Sequence, residues 1–158
     1  MTTMQSVVRR RRAVAAAGAV SAGLLVLTSC DKPTPLATIT VGDRSVSSEA
    51  SCYNDNGDAL TTAALTACLR DTDIKSITVD TDDTVRFGVD PDIADKSWTI
   101  LMNGQQLTDV STKTYRTVPG SVFFNAQYGA TGNSTTVSIK EGDKTVTGLW
   151  NFKLKKDS

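Results

Sequence analysis

Histidine is absent from this 158-residue chain, and neither a glycine-rich phosphate loop nor a G-x-S-x-G motif occurs in it. Without histidine the chain cannot build a Ser-His-Asp triad, a zinc site with imidazole ligands or the most common general base. The two missing motifs are those that cradle nucleotide phosphates and position the serine of many hydrolases. These absences argue against the common enzyme classes and leave carboxylates as the main reactive side chains.

The chain also lacks an apolar run long enough to cross a membrane as a stable helix. Its most apolar stretch, Ala13 to Leu27, has about 15 residues, whereas a spanning helix needs roughly 20. Four arginines at 9–12 precede this stretch, and small residues end it. A positive start, a short apolar core and a small-residue end predict a secretory signal peptide over residues 1–29. The alternative is an N-terminal membrane anchor.

The end of that segment, Leu27-Thr28-Ser29-Cys30, resembles the lipobox of bacterial lipoproteins. The resemblance implies that the sulfur of Cys30 receives a diacylglyceryl group and that the signal is cut just before it. Two acyl chains anchor a protein stably, because each buried CH₂ contributes about 0.8 kcal/mol. Residues 30–36 would then form a short stiff tether. We therefore expect an extracytoplasmic protein that is lipid-anchored to the outer face of the cell membrane.

Removal of residues 1–29 would change the charge of the protein. The full chain holds 17 basic and 17 acidic residues, and the removed segment holds four arginines and no acidic residue. The remaining chain therefore carries 13 basic and 17 acidic side chains, a net charge of −4. Such a domain lacks the basic face that nucleic acids require, so we expect no nucleic-acid partner. The basic end at Lys153, Lys155 and Lys156 is interpreted as a solvated strand end rather than a lipid-binding patch.

Two cysteines remain after Cys30, and export would place them in an oxidising compartment. The pair Cys52 and Cys68 predicts a structural disulfide that closes a loop of about 17 residues and stabilises the fold by roughly 3 kcal/mol. A redox-active pair would usually have the closer Cys-x-x-Cys spacing. Between the two cysteines, Thr61 can cap a short helix that runs to about Arg70. With Cys30 lipidated, no free thiol would remain as a nucleophile.

Alternation of apolar and polar residues dominates the rest of the chain and predicts β-strands. Seven such segments lie at residues 37–41, 77–79, 85–89, 98–102, 122–126, 137–139 and 146–154. The "EGDK" at 141–144 is typical of a hairpin turn. We therefore predict a mainly β fold, an antiparallel immunoglobulin-like β-sandwich over residues 37–158 with one short disulfide-stapled helix. Trp98 and Trp150 would be its largest core residues.

Acidic residues cluster between positions 71 and 95, where loops are expected. They offer five candidate metal ligands, which are Asp80, Asp82, Asp83, Asp90 and Asp92. Carboxylate oxygens that converge on a loop can hold Ca²⁺, so a small-ligand or calcium-binding lipoprotein is an alternative function. No EF-hand spacing is present, and aspartate is also common in turns for its own hydrogen bonding. We therefore predict no metal site and no cofactor.

Four segments give the chain a wider resemblance: "CDKPTPLATITVG" from residue 30, "CYND" from 52, "VRFGVDPDIADKSW" from 85 and "KTYRTVPGSVFF" from 113. In these segments the chain resembles small actinobacterial lipoproteins that carry a single domain of unknown function. The resemblance covers nearly the whole region after the signal. The resemblance implies no activity. The one functional residue that it implies for this chain is the lipidated Cys30.

The leading functional hypothesis is a non-enzymatic binding module that contacts an envelope protein, peptide or glycan through sandwich loops or an edge strand. Candidate binding residues lie in or near positions 112–129, and they are Tyr115, Arg116, Phe123 and Tyr128. Aromatic and arginine side chains often anchor interfaces. The alternative is that Tyr115 and Phe123 only cover the second face of the sheet. An enzyme is the least favoured class, because histidine and a free thiol are both missing.

Overall fold

The structure is a computed structural model that describes residues 33–158. The predicted signal peptide and Cys30 lie outside these residues. Within them the chain forms ten strands: β1 Ala37–Val41, β2 Arg44–Ser48, β3 Cys52–Tyr53, β4 Lys75–Val79, β5 Thr84–Val89, β6 Trp98–Met102, β7 Gln105–Gln106, β8 Tyr115–Pro119, β9 Ser134–Glu141 and β10 Gly148–Lys156. The helices of this region are α1 Thr62–Leu69 and α2 Pro91–Asp95, with 3₁₀ helices at Gly120–Phe124 and Ala126–Tyr128. None of these described helices is long and apolar enough to cross a membrane.

The first sheet has the strand order β2-β1-β5-β8, and its pairs are antiparallel. A tight hairpin joins β1 to β2, with Val41 paired to Arg44. Gly42 begins the turn with a φ of +59°, a value that glycine adopts without a steric penalty. The order leaves β2 and β8 as the two edge strands of this sheet.

The second sheet has six strands, in which β3 and β4 share one side of β10 and are followed across the sheet by β9, β6 and β7. The β4–β10 pair is parallel, and the other pairs of described strands are antiparallel. β4 runs opposite to β3 because helix α1, which connects them, returns the chain over the outer face of the sheet. The mainly β, immunoglobulin-like sandwich predicted from the sequence is confirmed, with this one parallel pair added.

The core lies between the two sheets, where β1, β5, β6, β9 and β10 each bury alternate side chains. Their inward apolar residues are at most 8% exposed, and they are Ala37, Ile39, Val41, Val85, Phe87, Val89, Trp98, Ile100, Met102, Val137, Ile139, Trp150, Phe152 and Leu154. Each large apolar side chain that is fully buried stabilises the fold by about 1.5–3 kcal/mol relative to an exposed one. The alternation predicted for these five strands is confirmed.

The strand predicted at residues 122–126 is wrong. The chain there forms the two 3₁₀ helices, and the strand lies earlier, at β8. Gly120 allows the change of direction, because a Cβ at this position would collide with the carbonyl oxygen of Asp80. Phe123 then points into the core, with its ring centroid 5.9 Å from that of Phe87. Since three residues make one 3₁₀ turn, buried residues here do not alternate as they do in a strand.

Helix α1 packs on the outer face of the second sheet, where the disulfide between Cys52 and Cys68 holds it. The Cα atoms of the two cysteines are 6.1 Å apart. Thr61 caps the helix as predicted, because its Oγ1 accepts a hydrogen bond of 3.2 Å from the backbone N–H of Ala64. The disulfide-stapled helix is therefore confirmed. A second helix, α2, was not expected, and it begins with Pro91, a residue favoured at the first helical position.

Residues 34–36 of the predicted tether are hydrogen-bonded to the sandwich. Thr34 and Pro35 are half-buried, whereas Leu36 is exposed. In the described part of the chain, the tether is therefore built into the domain and does not act as a free spacer.

Asn151 connects the second sheet to helix α1. Its side chain is buried, and its Nδ2 donates to the carbonyl oxygen of Cys68 at 2.6 Å. Its Oδ1 accepts a hydrogen bond of 2.6 Å from the hydroxyl of Ser138. Both partners are themselves buried, so water cannot replace the amide.

We predict that Asn151→Ala lowers the free energy of unfolding by about 3 kcal/mol, because two buried polar groups lose their partner. Urea denaturation measures this change. The control is Lys153→Ala, which alters a half-buried side chain on the same face of β10 and should cost less than about 1 kcal/mol. Equal losses for the two variants would contradict the role assigned to Asn151.

Candidate functional site

The five candidate metal ligands form two groups at opposite ends of β5. Asp80, Asp82 and Asp83 lie in the turn before this strand, whereas Asp90 and Asp92 follow it. A strand of six residues spans about 20 Å, so one ion cannot bind both groups. Within residues 33–158, no group of three or more Asp, Glu, Cys or His side chains is arranged to hold a metal ion. The convergence of acidic loops on which the calcium-binding alternative depends is not seen among these residues.

Three of these carboxylates instead accept hydrogen bonds from backbone N–H groups. Asp80 Oδ1 accepts a hydrogen bond of 3.0 Å from the N–H of Asp82, and Asp83 Oδ2 accepts one of 3.1 Å from the N–H of Asp80. Asp90 Oδ2 accepts one of 2.7 Å from the N–H of Leu36. Aspartate commonly stabilises turns in this way.

The four predicted binding residues do not form one site. Phe123 is fully buried in the core, which excludes it as a surface contact and corrects that part of the prediction. Tyr115 and Arg116 lie on β8, where the side chain of Tyr115 is 65% exposed. Tyr128 lies in the second 3₁₀ helix and lines a different cleft, with a volume of about 350 Å³. Only Tyr115 and Arg116 share a surface.

The hydrogen bonds at the two ends of β8 show which residues face β5. The N–H of Val89 donates to the carbonyl oxygen of Thr114 at 2.9 Å, and the N–H of Gly120 donates to that of Asp83 at 2.7 Å. In an antiparallel ladder every second residue turns its N–H and C=O toward the same neighbour. The even-numbered residues of 114–120 therefore turn their backbone groups toward β5.

The odd-numbered residues of β8 consequently turn their backbone groups outward. Tyr115 and Thr117 each present an N–H on this side, and no acceptor within residues 33–158 bonds to either. Pro119, at the end of the strand, has no N–H to present. The unpaired side of a strand is a ready template for another strand. β8 is therefore an open edge, but a short one.

A cleft of about 340 Å³ lies beside this open edge, and it is lined by Val110, Ser111, Lys113, Tyr115, Arg116 and Thr117. The backbones of Ser111 and Trp98 exchange two hydrogen bonds of 2.8 Å. The indole N–H of Trp98 also donates to the carbonyl oxygen of Lys113 at 2.7 Å. One wall of the cleft is therefore fixed to β6, and its two basic side chains give it a positive charge.

An ion pair between a buried carboxylate and a partly exposed lysine closes one end of the core. Glu141 ends β9 and is fully buried, with its Oε1 3.0 Å from the ammonium nitrogen of Lys96. The hydroxyl of Thr147 also donates to this oxygen, whereas Oε2 has no hydrogen-bond partner among the described residues. Lys96 donates to the hydroxyl of Tyr53 at 3.0 Å and lies 5.0 Å from the centroid of its ring. The pair thus joins β3, the end of α2 and the connection between β9 and β10.

Two tight backbone conformations bring this pair together. Ser97 has a φ of +62°, and its carbonyl oxygen accepts a hydrogen bond of 2.8 Å from the N–H of Gly142. Gly142 has a φ of +88°, and a Cβ there would collide with the carbonyl oxygen of Thr145. Glycine is therefore required directly after Glu141 if the chain is to return with Thr147 beside the carboxylate.

The ammonium group of Lys96 remains charged at neutral pH. Burial lowers the pKa of Lys96, but its hydrogen bonds to Tyr53 and Glu141 and the attraction of the Glu141 carboxylate raise this pKa by more. The net effect is a pKa above the ordinary value of 10.5. A protonated amine has no free lone pair, so Lys96 is not suited to act as a nucleophile or base. Its role is to neutralise a buried carboxylate.

The alternation of inward residues along β9 gives a sequence clue to this ion pair. Val137 and Ile139 point inward, and Glu141 continues the same period of two. A charged residue at an inward position predicts a partner of opposite charge. The partner itself could not be identified from the sequence, because Lys96 lies 45 positions away.

An open cleft of about 320 Å³ lies at the ion pair, and it is lined by Tyr53, Asp55, Asp92, Asp95 and Lys96. We call it the acidic cleft. The ammonium group of Lys96 is already paired with Glu141, so the three carboxylates make this end of the sandwich negative. Of the five candidate metal ligands, only Asp92 lines this cleft.

No family model and no curated protein matches this sequence. Among solved structures, the chain is similar to fibronectin(III)-like modules of Clostridium thermocellum CbhA, with 10% sequence identity and a TM-score of 0.37. The similarity covers 54% of this chain and 92% of the module. A likeness of this size carries no argument about function, so the assignment of the fold rests on the two sheets themselves.

We predict that Lys96→Met lowers the free energy of unfolding by about 2–3 kcal/mol at neutral pH, because Glu141 then stays buried without an opposite charge. The expected loss is smaller than for a fully buried pair, since 38% of the Lys96 side chain is exposed. Urea denaturation provides the measurement. Lys144→Met changes an exposed lysine in the connection between β9 and β10, and this control should have little effect.

The dependence of stability on alkaline pH tests the same pair. Because the folded-state pKa of Lys96 is raised, its stabilising contribution is complete below pH 10.5 and is lost as the pH rises through the higher folded value. We therefore expect the difference in stability between wild type and Lys96→Met to stay constant up to about pH 10 and to shrink as the pH rises above the ordinary lysine pKa of 10.5. A difference that does not shrink above pH 10.5 would show that the charge of Lys96 is not its source.

Proposed function

We propose that this chain is a non-enzymatic interaction module that is anchored to the outer face of the cell membrane through a diacylglyceryl group on Cys30. It binds an extended segment of another envelope protein along β8. The observation that carries this proposal is the open edge of β8, where the outward N–H groups of Tyr115 and Thr117 lie beside a preformed cleft. Addition of a strand to an exposed sheet edge is a common mode of peptide recognition.

The side chains around this edge favour an acidic segment as the occupant. Lys113 and Arg116 line the cleft, and neither forms an ion pair within residues 33–158. Val110 and Tyr115 are exposed there and offer apolar contact area. In this mode of binding, main-chain hydrogen bonds supply affinity and alternate side chains supply specificity.

The anchoring and the absence of catalysis have separate support. Anchoring is supported by the short apolar segment before Cys30 and by the likeness of residues 27–30 to a lipobox. A non-enzymatic role is supported by the lack of histidine, by the pairing of Cys52 with Cys68 and by the protonated state of Lys96. Calcium binding is not favoured, because the candidate ligands lie at opposite ends of β5.

Photo-crosslinking in intact cells that produce the full chain tests the edge. p-Benzoylphenylalanine is placed either at position 115, on the open edge, or at position 45, on β2 at the other edge of the same sheet. We expect a crosslinked species from position 115 and none from position 45. Equal crosslinking from both edges would refute a specific role for β8.

A pair of substitutions at Thr117 tests whether the backbone makes the contact. Thr117→Pro removes an outward N–H but leaves the hydrogen bonds to β5, so crosslinking from position 115 should fall about fivefold, the equivalent of one hydrogen bond of about 1 kcal/mol. Thr117→Val keeps the N–H and should leave crosslinking unchanged. Thermal denaturation of both variants checks that they fold. A folded Thr117→Pro variant with full crosslinking would overturn the proposal.

Membrane anchoring is tested on its own. Cys30→Ala should move the protein out of the membrane fraction, because the acyl chains that hold it there are lost. Mass spectrometry of the wild-type N-terminal peptide should show a diacylglyceryl group on Cys30. A wild-type chain that fractionates as soluble protein would disprove anchoring without affecting the result for β8.

A further inference from the structure

Residues 34–36 are fixed to one end of the sandwich by contacts with separate parts of the domain. Thr34 Oγ1 accepts a hydrogen bond of 2.9 Å from the N–H of Ala50, which follows β2. The carbonyl oxygen of Pro35 accepts one of 2.7 Å from the indole N–H of Trp150 in β10. We call residues 34–36 the docked segment.

A third contact of the docked segment is reciprocal. The N–H of Leu36 donates to Asp90 Oδ2 at 2.7 Å, and the N–H of Asp90 donates to the carbonyl oxygen of Leu36 at 3.0 Å. Asp90 follows β5 and immediately precedes α2. The docked segment is thus held by the chain after β2, by β10 and by the chain after β5, all at one end of the sandwich.

We propose that this end of the sandwich faces the lipid surface and that the docked segment sets the orientation of the domain. The proposal rests on the anchoring of Cys30 described under Proposed function. Four residue steps of at most about 3.6 Å separate Cys30 from Thr34, so their Cα atoms can lie at most about 14 Å apart. Because Thr34 is bonded to the domain, the anchor cannot be much further from this end.

The charge of the domain does not favour either orientation. The acidic cleft lies at the end that carries the docked segment, and anionic lipids repel it. Lys155 and Lys156 lie at the other end, which we call the lysine end, where Lys156 is paired with Val79. The same end also carries the aspartates of residues 80–83 and Asp157, whose N–H donates to the carbonyl oxygen of Val79. Electrostatic adhesion to an anionic bilayer would therefore not select the lysine end, and the docked segment is the feature that distinguishes the two ends.

Paramagnetic relaxation on nanodiscs distinguishes these orientations. The protein is extracted from the membranes of the producing cells and placed in nanodiscs of phosphatidylcholine and phosphatidylglycerol that contain a lipid with a nitroxide on its headgroup. We expect severalfold stronger attenuation of the amide signals of α2 and residues 50–53 than of residues 80–83 and 155–156. Stronger attenuation at the lysine end, or equal attenuation at both ends, would overturn the proposal.

A double variant tests the part played by the docked segment. Thr34→Val with Asp90→Ala removes two acceptors that hold this segment, so the attenuation should spread over both ends of the domain. The matched control is Asp92→Ala, which removes a carboxylate from the same end but no hydrogen bond to the segment, and it should keep the wild-type pattern. Amide spectra without the nitroxide check that both variants fold. A folded double variant with the wild-type pattern would also refute the proposal.

The mass of the purified protein separates this proposal from the anchoring on which it rests. If Cys30 carries no diacylglyceryl group, natural anchoring fails as a proposal. A maleimide lipid can then be coupled to Cys30, because the disulfide leaves it as the one remaining cysteine of the three in the sequence. The same spectra still show whether the docked segment orients the domain.

Discussion

Strand β10 is the element on which most of the other contacts depend, because both of its edges and both of its faces are used. Along its edges it pairs with β3, β4 and β9. On its inner face Trp150 fills the core and also holds the carbonyl oxygen of Pro35. On its outer face Asn151 holds the end of helix α1. A shift of one residue in β10 would exchange these two faces, so the helix, the disulfide and the docked segment all depend on its register.

The ion pair between Glu141 and Lys96 places a second constraint on the fold, and it lies at the end of the sandwich that carries the docked segment. A buried carboxylate without a partner costs several kcal/mol, so arrangements that separate the two charges are disfavoured. Tyr53 and Thr147 complete the contacts, and they come from β3 and from the connection before β10. We interpret the pair as a contact that selects one arrangement of β3, α2 and this connection. Under this interpretation the pair matters more for selecting one fold than for its net contribution to the free energy of unfolding.

Sequence patterns predicted the parts of the fold in which inward residues follow one period. This holds for the five long core strands and for the helix capped by Thr61. The pattern failed around Phe123, because a short 3₁₀ helix leaves too few residues to reveal its period. Tyr115 and Phe123 were equal candidates for binding, with cover of the second face of the sheet as the alternative, because aromatic character does not show which side of the chain faces inward. The contacts of Glu141 and of the Pro35 carbonyl join distant positions, so no local sequence pattern identifies their partners.

Pro119 gives the open edge of β8 a fixed length. With outward N–H groups only at Tyr115 and Thr117, a partner strand gains few main-chain hydrogen bonds, each worth about 0.5–1.5 kcal/mol net. Such a contact is weak between molecules that diffuse freely in solution. Two proteins confined to one membrane meet at a higher effective concentration, which can raise the apparent affinity by about 10²–10⁴. A short edge that ends in proline is therefore suited to a reversible contact between neighbours on a membrane, and it cannot grow into a longer sheet.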